Sequence, residues 1–184
     1  MRSDRVVVIG GGLAGCEAAF RLANMNVPVE LVEMRPAKTT AAHKTGYLGE
    51  LVCSNSLKSE DINTAQGVLK REMRKLNSLI LMAADRCRVP AGSALAVDRD
   101  LLGRTVTEII TGHPLIQVTI KEMKDLPESG ITVVASGPLT SDALSASIAR
   151  LTGEEHLYFF DAVAPIIAVD SIDMNKVYAG SRYG

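Results

Sequence analysis

Short apolar runs alternate with amphipathic stretches along the first part of the chain. The apolar run at residues 5–9 predicts a buried strand, and apolar residues at helical spacing predict a helix from residue 13 to about residue 26. A second apolar run at residues 29–32 predicts another strand. Strand, helix and strand in this order indicate a β-α-β unit, whose two strands are parallel.

The same alternation continues through the rest of the chain. Helical spacing predicts one helix over residues 64–85, a second after Asp98 and a third after Ser141. Strand-like patterns occur at residues 116–120, 131–135 and 158–169. Together these patterns predict a Rossmann-like α/β fold with three layers and a largely parallel sheet.

The turn between the first strand and the first helix has the sequence Gly10-Gly11-Gly12-Leu13-Ala14-Gly15. In a dinucleotide-binding turn, Gly10 permits the tight turn, Gly12 lets a pyrophosphate approach the backbone, and Gly15 lets the helix pack on the strand. Unpaired N–H groups of the first helical turn then face the phosphates. The alternative is a glycine-rich turn without a ligand. The order of strand, glycines, helix and strand favours the dinucleotide site.

Three further residues are candidates for the same site. Glu33 ends the second strand, where an acidic residue can bind both hydroxyls of an adenosine ribose. Arg35 could contact adenosine or phosphate, or project into solvent. Gly137 follows the strand at residues 131–135, where the backbone could approach the cofactor or form an ordinary strand-to-helix turn. The predicted cofactor-binding residues are Gly10, Gly11, Gly12, Leu13, Ala14, Gly15, Glu33, Arg35 and Gly137.

Composition and charge narrow the possible classes of protein. The chain has 184 residues, of which 47% are hydrophobic, so it can bury a core. A net charge of −1 and 4% aromatic residues give no overall attraction to nucleic acid and little material for stacking bases. Three irregularly spaced cysteines argue against disulfides and against a metal site. Without a signal peptide or a membrane-spanning run, a cytoplasmic protein is expected.

Cys53 is the candidate for a chemically active thiol. Small polar residues follow it, and we expect them to open a helical region. The N–H groups at a helix start lower the pKa of a nearby thiol and favour the nucleophilic thiolate. A buried structural cysteine is the alternative. Cys16 is expected to pack within the first helix. Cys87 has two arginine neighbours but no other feature that indicates a reactive thiol.

Residues 70–75 carry four cations in six positions. On a helix, these basic residues would share a polar face opposite Leu69, Met73 and Leu76. Such a face could contact phosphates. An ordinary solvated helix surface is the favoured alternative.

Three segments closely resemble one family: residues 7–19 with the glycine turn, residues 33–36 with the sequence Glu-Met-Arg-Pro, and residues 50–57 around Cys53. They are similar to segments of the folate- and FAD-dependent tRNA uracil-5 methyltransferases, as are residues 96–99 and 181–184. Many flavoproteins share the glycine segment, whereas the other two are more specific. Because family members are longer, we expect residues 1–184 to be the N-terminal part of an FAD/NAD(P)-binding domain from a longer chain.

The resemblance implies a reductive methylation of RNA. NAD(P)H would reduce FAD, and methylenetetrahydrofolate would give a one-carbon unit that passes through the flavin to C5 of a uridine in the tRNA T-loop. Because C5 of uracil is a poor nucleophile, a thiolate adds at C6 or a base removes the C5 proton. Cys53 matches one of the family's two functional cysteines. The second would lie beyond Gly184, the two roles stay unassigned, and the chain alone is expected to be inactive.

Three alternatives stay open on the sequence. The same chemistry could act on ribosomal RNA, because relatives with that specificity share these segments. An FAD oxidoreductase without an RNA substrate would use its thiol for redox exchange. An FAD-binding module or an inert fragment would have no activity of its own. Low charge and few aromatic residues favour the last two for the chain alone, whereas the segment around Cys53 favours a methyltransferase.

Overall fold

The computed structural model describes residues 5–153 and 171–177. The strands in these ranges are β1 (Val6–Ile9), β2 (Val29–Glu33), β3 (Ser56–Ser59), β4 (Arg88–Val89), β5 (Ala94–Val97), β6 (Ile116–Ile120) and β7 (Thr132–Val134). The helices are α1 (Leu13–Asn24), α2 (Ala65–Lys75), α3 (Leu79–Arg86), α4 (Arg99–Thr111) and α5 (Asp142–Thr152), with a 3₁₀ turn at Gly137–Leu139. The predicted strand at residues 158–169 lies outside the described residues, as do residues 181–184. Among the helices described, none is both long and apolar enough to cross a membrane.

Four strands form a parallel sheet in the order β6-β2-β1-β7. Val8 of β1 pairs with Leu31 of β2 on one side and with Val133 of β7 on the other. The chain order therefore reverses beside β1. In open parallel sheets, ligands bind at such a point, in the crevice outside the carboxyl ends of the strands. The predicted α/β class with a parallel sheet is confirmed.

Helices α1 and α4 pack into the core with this sheet. The buried residues of α1 are small, which lets the helix approach the strands closely: Gly15, Cys16, Ala19 and Ala23. Larger side chains of α4 fill the rest of the space: Leu102, Val106 and Ile110, all fully buried. This packing fixes the strand ends, and with them the loops that follow.

A second, antiparallel sheet has the order β3-β5-β4. β3 pairs with β5 with an irregular register between Ser56 and Ser59. The helices α2 and α3 lie between β3 and β4 in the chain. Leu95 and Val97 of β5 belong to the same buried cluster as Val8 of β1, so the two sheets share one core.

The predicted single helix over residues 64–85 is wrong, because the chain forms α2 and α3 there. Asn77 has a φ of 55°, a left-handed conformation through which a right-handed helix cannot continue. Ser78 then caps α3. The carboxylate of Glu17 accepts a hydrogen bond from Ile80 N at 3.0 Å, a favourable position for a negative charge at a helix start. Apolar spacing does not reveal this break.

The predicted starts of the last two helices are confirmed. Asp98 accepts a hydrogen bond from Leu101 N at 3.0 Å and begins α4. Ser141 accepts one from Leu144 N at 3.4 Å and begins α5, which ends at Gly153 with a φ of 75°. Each cap satisfies an amide that the helix itself leaves without a partner.

Candidate nucleotide-binding site and cysteine segment

An open cleft lies at the carboxyl ends of the four parallel strands. Its lining includes Gly10, Gly11 and Gly12 of the glycine turn, Glu33 and Arg35 at the end of β2, Lys121 after β6 and Ser136 after β7. The fold therefore brings five of the predicted site residues together here, whereas Leu13, Ala14 and Gly15 do not line the cleft. The location is the one expected for a ligand in an open parallel sheet.

Gly10 and Gly15 are the two glycines of the turn whose Cβ would meet backbone atoms, whereas a Cβ on Gly11 would meet the side chains of Leu48 and Glu33. Gly10 has a φ of 105°, and a Cβ on it would lie 2.7 Å from Ala135 O, in the turn after β7. A Cβ on Gly15 would lie 1.8 Å from Gly10 O. These glycines therefore have the structural roles expected of them, in the tight turn and in the packing of helix on strand.

Gly12 differs from these two glycines. A Cβ on Gly12 would have no atom within 4 Å, and its backbone is extended, a conformation that any residue adopts. Nothing in the described part of the protein therefore requires glycine at this position. Gly12 is the N-cap of α1, and its residue type provides no side chain to cap the helix. The helix thus begins beside the cleft with free space before its first amide groups, an arrangement that binds anions.

The Glu33 carboxylate is buried and fully hydrogen-bonded. Its Oε2 accepts from Gly11 N at 2.7 Å and from Arg35 Nη2 at 3.3 Å. Its Oε1 accepts from Arg35 N at 2.9 Å and from Arg35 Nε at 3.0 Å. Burial alone would raise the pKa of Glu33, but these hydrogen bonds hold the pKa below its ordinary value of 4.5. Glu33 is therefore ionised at neutral pH, and each of its oxygens already accepts two hydrogen bonds.

Arg35 is 1% exposed, so the alternative that it projects into solvent is wrong. Its guanidinium lies between two carboxylates, with Nη1 3.0 Å from Glu50 Oε2 and Nε 3.0 Å from Glu33 Oε1. A buried guanidinium requires such partners, because removal from water is costly for an unpaired charge. Sequence reasoning identified Glu33 and Arg35 but missed Glu50, which no local pattern marks.

Glu50 organises the loop between β2 and β3. Its carboxylate accepts hydrogen bonds from Lys44 N at 2.8 Å and from Thr45 Oγ1 at 2.9 Å. The preceding residue ties the loop to the glycine turn, because Gly49 N donates to Gly11 O at 2.8 Å. Burial would raise the pKa of Glu50, but the hydrogen bonds from Lys44 and Thr45 lower it below the ordinary value.

Cys53 is exposed and lies in an irregular segment that leads into β3. The helix predicted after it is therefore wrong, because the residues that follow pair with β5 instead. Asn55 O accepts a hydrogen bond from Val97 N at 2.9 Å, which aligns the segment with the end of β5. Val52, the residue before Cys53, lines a small cavity together with Arg99, the first residue of α4. Among the described residues, Cys53 is therefore not the buried structural cysteine of the alternative.

The other two cysteines are buried. Cys16 Sγ donates to Gly11 O at 3.3 Å, and burial raises the pKa of this thiol to about 12. Cys87 is 2% exposed, with its Sγ 3.6 Å from Thr105 Oγ1. Cys16 is packed, as expected, and Cys87 is buried as well, so neither thiol is presented to solvent.

The predicted basic face of α2 is only partly present. Lys70 is buried, and its Nζ donates to Ser59 O at 2.9 Å. Arg74 forms an ion pair with Asp85 at 2.7 Å. On the opposite, apolar side, Leu69 and Leu76 are exposed, whereas Met73 packs against the core. Half of the predicted cations are therefore engaged within the protein.

Comparison with protein families shows to which family a chain with this cleft and this cysteine segment belongs. The family profile described as "Glucose inhibited division protein A" matches residues 5–184, which include the glycine turn, the pair Glu33 and Arg35, and Cys53. The chain belongs to this family.

Several curated relatives are similar to this member of the glucose inhibited division protein A family over its whole length. A protein of Syntrophomonas wolfei named methylenetetrahydrofolate–tRNA-(uracil-5-)-methyltransferase is 59% identical over 181 residues, which are 98% of this chain and 42% of that protein. Proteins with the same name from Desulforamulus reducens and Brevibacillus brevis are 56% and 55% identical, over 100% of this chain and 42% of each protein. The chain thus spans about two fifths of the length of these relatives.

Solved structures similar to this family member include the GidA-related protein from Thermus thermophilus. That similarity has a TM-score of 0.42 and 15% identity, and covers 74% of this chain and 54% of the other. The Diels-Alderase PyrE3 is similar with a TM-score of 0.48 and 17% identity, over 81% of this chain and 34% of the other.

In this family member, the cleft also has residues that sequence reasoning missed. His43 lines it, with Nδ1 2.7 Å from Thr40 Oγ1, and burial followed by the nearby Arg35 charge lowers the pKa of His43. Lys121 follows a predicted strand at the same edge of the sheet, a position that could have indicated it. Gly137 has a φ of 65° and stands beside the lining residues without lining the cleft itself.

Proposed function

We propose that this chain is the FAD-binding part of an enzyme that methylates C5 of a T-loop uridine in tRNA. Methylenetetrahydrofolate would supply the one-carbon unit and NAD(P)H would reduce FAD, in the cytoplasm. The structural observation that carries the proposal is the cleft, where the uncapped start of α1 has free space at Gly12 beside the ionised Glu33. The names of the relatives specify tRNA and folate, which favours tRNA over ribosomal RNA. The exposed Cys53 favours an enzyme over an FAD-binding module.

The glycine turn fits the pyrophosphate of FAD. We propose that the phosphates lie over Gly10, Gly12 and Gly15, and that the amides of Leu13 and Ala14 face the negative charge. The free space at Gly12 supports this, because no described atom occupies it. When bound, FAD would supply the redox chemistry and carry the one-carbon unit.

Glu33 fits the adenosine ribose after one exchange of partners. Because both carboxylate oxygens already accept two hydrogen bonds, a ribose hydroxyl must replace a donor. The longest of these bonds, from Arg35 Nη2 at 3.3 Å, is the one we expect to be released. Arg35 would therefore act on the cofactor through Glu33, and Gly137 would bring the backbone after β7 close to it.

The variant Gly12→Val tests the FAD site. Valine can adopt the extended backbone of Gly12, so the variant should fold, but its side chain would occupy the position proposed for the phosphates. We expect loss of flavin absorbance from the purified full-length protein. Ala146→Val, a similar change on the exposed side of α5, is the control and should retain flavin. A folded Gly12→Val protein with full flavin content would contradict the proposal.

We propose that Cys53 acts on uracil as a nucleophile or as a base. As a nucleophile, its thiolate forms a bond to C6, and the electron pair of the C5–C6 double bond moves toward the C4 carbonyl, which makes C5 nucleophilic. After methyl transfer, loss of the C5 proton and expulsion of the thiolate restore the double bond. As a base, the thiolate takes the C5 proton. A second cysteine beyond Gly184 would take the other role, so the 184-residue chain alone should show no turnover.

Single-turnover methylation of tRNA by Cys53→Ala tests this role. The change removes an exposed thiol, so folding and flavin content should be unaffected. We expect the rate per bound flavin to fall by about two orders of magnitude or more. Cys87→Ala is the matched control, because Cys87 is buried away from the cleft, whereas Cys16 contacts the glycine turn. A rate close to wild type in Cys53→Ala would make Cys53 structural.

A further inference from the structure

We propose that Arg35 and Glu50 are positioning residues that couple the ribose end of the FAD site to the cysteine segment, residues 51–55. This inference rests on the proposed FAD site and adds to it a physical connection to Cys53. Occupancy of the ribose position would change how firmly Glu50 is held. Because the cysteine segment begins at the next residue, the position of Cys53 would change with it.

The connection is one guanidinium shared by two carboxylates. Arg35 Nε lies 3.0 Å from Glu33 Oε1, and Arg35 Nη1 lies 3.0 Å from Glu50 Oε2. The side chains of Arg35, Glu33 and Glu50 are 2%, 6% and 10% exposed, so water competes little for these bonds. The planar guanidinium satisfies both carboxylates at once, and a change on one side therefore alters the donors available to the other.

Glu33 is the side of the bridge that would sense the ribose. A ribose hydroxyl can bind its carboxylate only by displacing one of four existing hydrogen bonds. Two of the donors are backbone amides, Gly11 N in the glycine turn and Arg35 N directly after β2, and their positions are set by the fold. The Arg35 side chain is the movable partner, and Nη2 makes the longest bond. Release of Nη2 frees the guanidinium to turn toward Glu50.

Glu50 is the side of the bridge that would act on Cys53. Its carboxylate holds Lys44 N and Thr45 Oγ1 as well as Arg35. On one side of Glu50 the chain is tied to the glycine turn, because Gly49 N donates to Gly11 O at 2.8 Å. On the other side Val52 and Cys53 are exposed, so a shift at the Glu50 carboxylate is taken up in the cysteine segment.

The rate of Cys53 alkylation by iodoacetamide, read by mass spectrometry, reports the coupling. The full-length protein is freed of flavin and then given ADP, which has the ribose and pyrophosphate of FAD but no flavin ring to shield the thiol. We expect saturating ADP to slow alkylation about fivefold, the size of a modest coupling between two sites. The matched ligand 2′,3′-dideoxy-ADP lacks both hydroxyls and should leave the rate unchanged.

Two variants test whether the coupling needs the Arg35–Glu50 bridge itself or only a positive charge at residue 35. Glu50→Gln keeps the size of the side chain and removes its charge, whereas Arg35→Lys keeps the charge but cannot hold two carboxylates in one plane. Both should bind FAD more weakly and lose the effect of ADP on Cys53. Glu60→Gln is the control, because Glu60 pairs with Arg74 and does not line the cleft. Should the first two variants fail to fold, Thr45→Val removes a single donor to Glu50 and should reduce the ADP effect.

The possible outcomes distinguish this coupling from the proposed FAD site. An ADP effect that persists in folded Glu50→Gln or Arg35→Lys, or in Thr45→Val where those do not fold, overturns the coupling. The same holds if dideoxy-ADP slows alkylation as much as ADP. If wild type binds ADP and FAD but Cys53 reactivity does not change, the coupling fails and the FAD site stands. If wild type binds neither ligand, the proposed FAD site fails and the coupling fails with it.

Discussion

The parallel sheet and the antiparallel sheet share one core, yet the sequence specifies them in different ways. β1, α1 and β2 follow one another directly in the chain, with the glycine turn between the first two. β3 meets its partner β5 only after two helices and β4 have intervened. Where neighbours in sequence are also neighbours in space, the local apolar pattern is sufficient to predict the element. A strand with a distant partner carries a weaker signal.

The two regions also hold their chemical groups differently. Beside the parallel sheet, Glu33 and Arg35 are buried and fully paired. Beside the antiparallel sheet, Cys53 is exposed on an irregular segment. If the first region binds a cofactor, as we propose, it gains from groups that are already in place, and the reaction proposed for Cys53 requires a thiol that an RNA base can reach. Glu50 pairs with Arg35 of the first environment and directly precedes the cysteine segment of the second.

The variant Gly15→Ala should have the largest effect on stability, and it tests how strictly the parallel-sheet region depends on its glycine turn. The added Cβ would lie 1.8 Å from Gly10 O, a contact that only a backbone shift can relieve. We expect the free energy of unfolding to fall by about 3 kcal/mol or more in urea titrations. Gly12→Ala, where the Cβ meets nothing, should cost less than about 1 kcal/mol. Equal losses would contradict the distinction between the two glycines.

The glycine turn could be predicted because each of its requirements is local. The adjoining strand and helix fix what Gly10 and Gly15 must do, and both appear as expected. Gly67 has an equally severe contact, since a Cβ would lie 2.0 Å from Asp61 O, but no motif marks it. Asn77 breaks a helix that the apolar spacing continues. The contact at Gly67 and the left-handed conformation of Asn77 both depend on how the chain folds back. The spacing of apolar residues predicts neither of them.

The candidate site could likewise be predicted only where its residues are marked by local sequence. A strand end indicated Glu33, but the bridge from Arg35 to Glu50 depends on a loop that returns to the glycine turn. For Cys53, the family resemblance identified the residue, whereas local reasoning gave it a helix that is not there. The residues after it pair with β5, and this distant partner outweighs their local tendency to start a helix.

Glu50→Gln tests the link between the two regions and should cost about 2 kcal/mol of stability near neutral pH. Burial would raise the pKa of Glu50, but its hydrogen bonds hold the pKa below the ordinary 4.5. The ionised side chain therefore stabilises the fold above pH 4.5, and this contribution is lost as the pH falls through the lowered pKa. Protonated glutamate resembles glutamine, so the difference from wild type should shrink in acid.

Urea titrations of wild type and Glu50→Gln at a series of pH values from about 7 downward measure this difference. The exposed Glu128 provides the matched control, and Glu128→Gln should change stability little at any of these pH values. A difference between wild type and Glu50→Gln that stays constant into the acid range would show that the Glu50 charge does not stabilise the fold.

Lys70→Met should have the smallest effect of the three, and it tests whether α2 is anchored to the antiparallel sheet or presents an ordinary basic surface. Lys70 Nζ donates to Ser59 O at 2.9 Å and to Gln66 O at 3.4 Å from a buried position. Methionine fills the same space but donates no hydrogen bond, so we expect a loss of about 1.5 kcal/mol in urea titrations. Lys75→Met, on the exposed side of the same helix, should change stability by less than about 0.5 kcal/mol. If both variants are equally stable, Lys70 is a solvated cation like Lys75, and the anchoring of α2 through the Ser59 carbonyl is wrong.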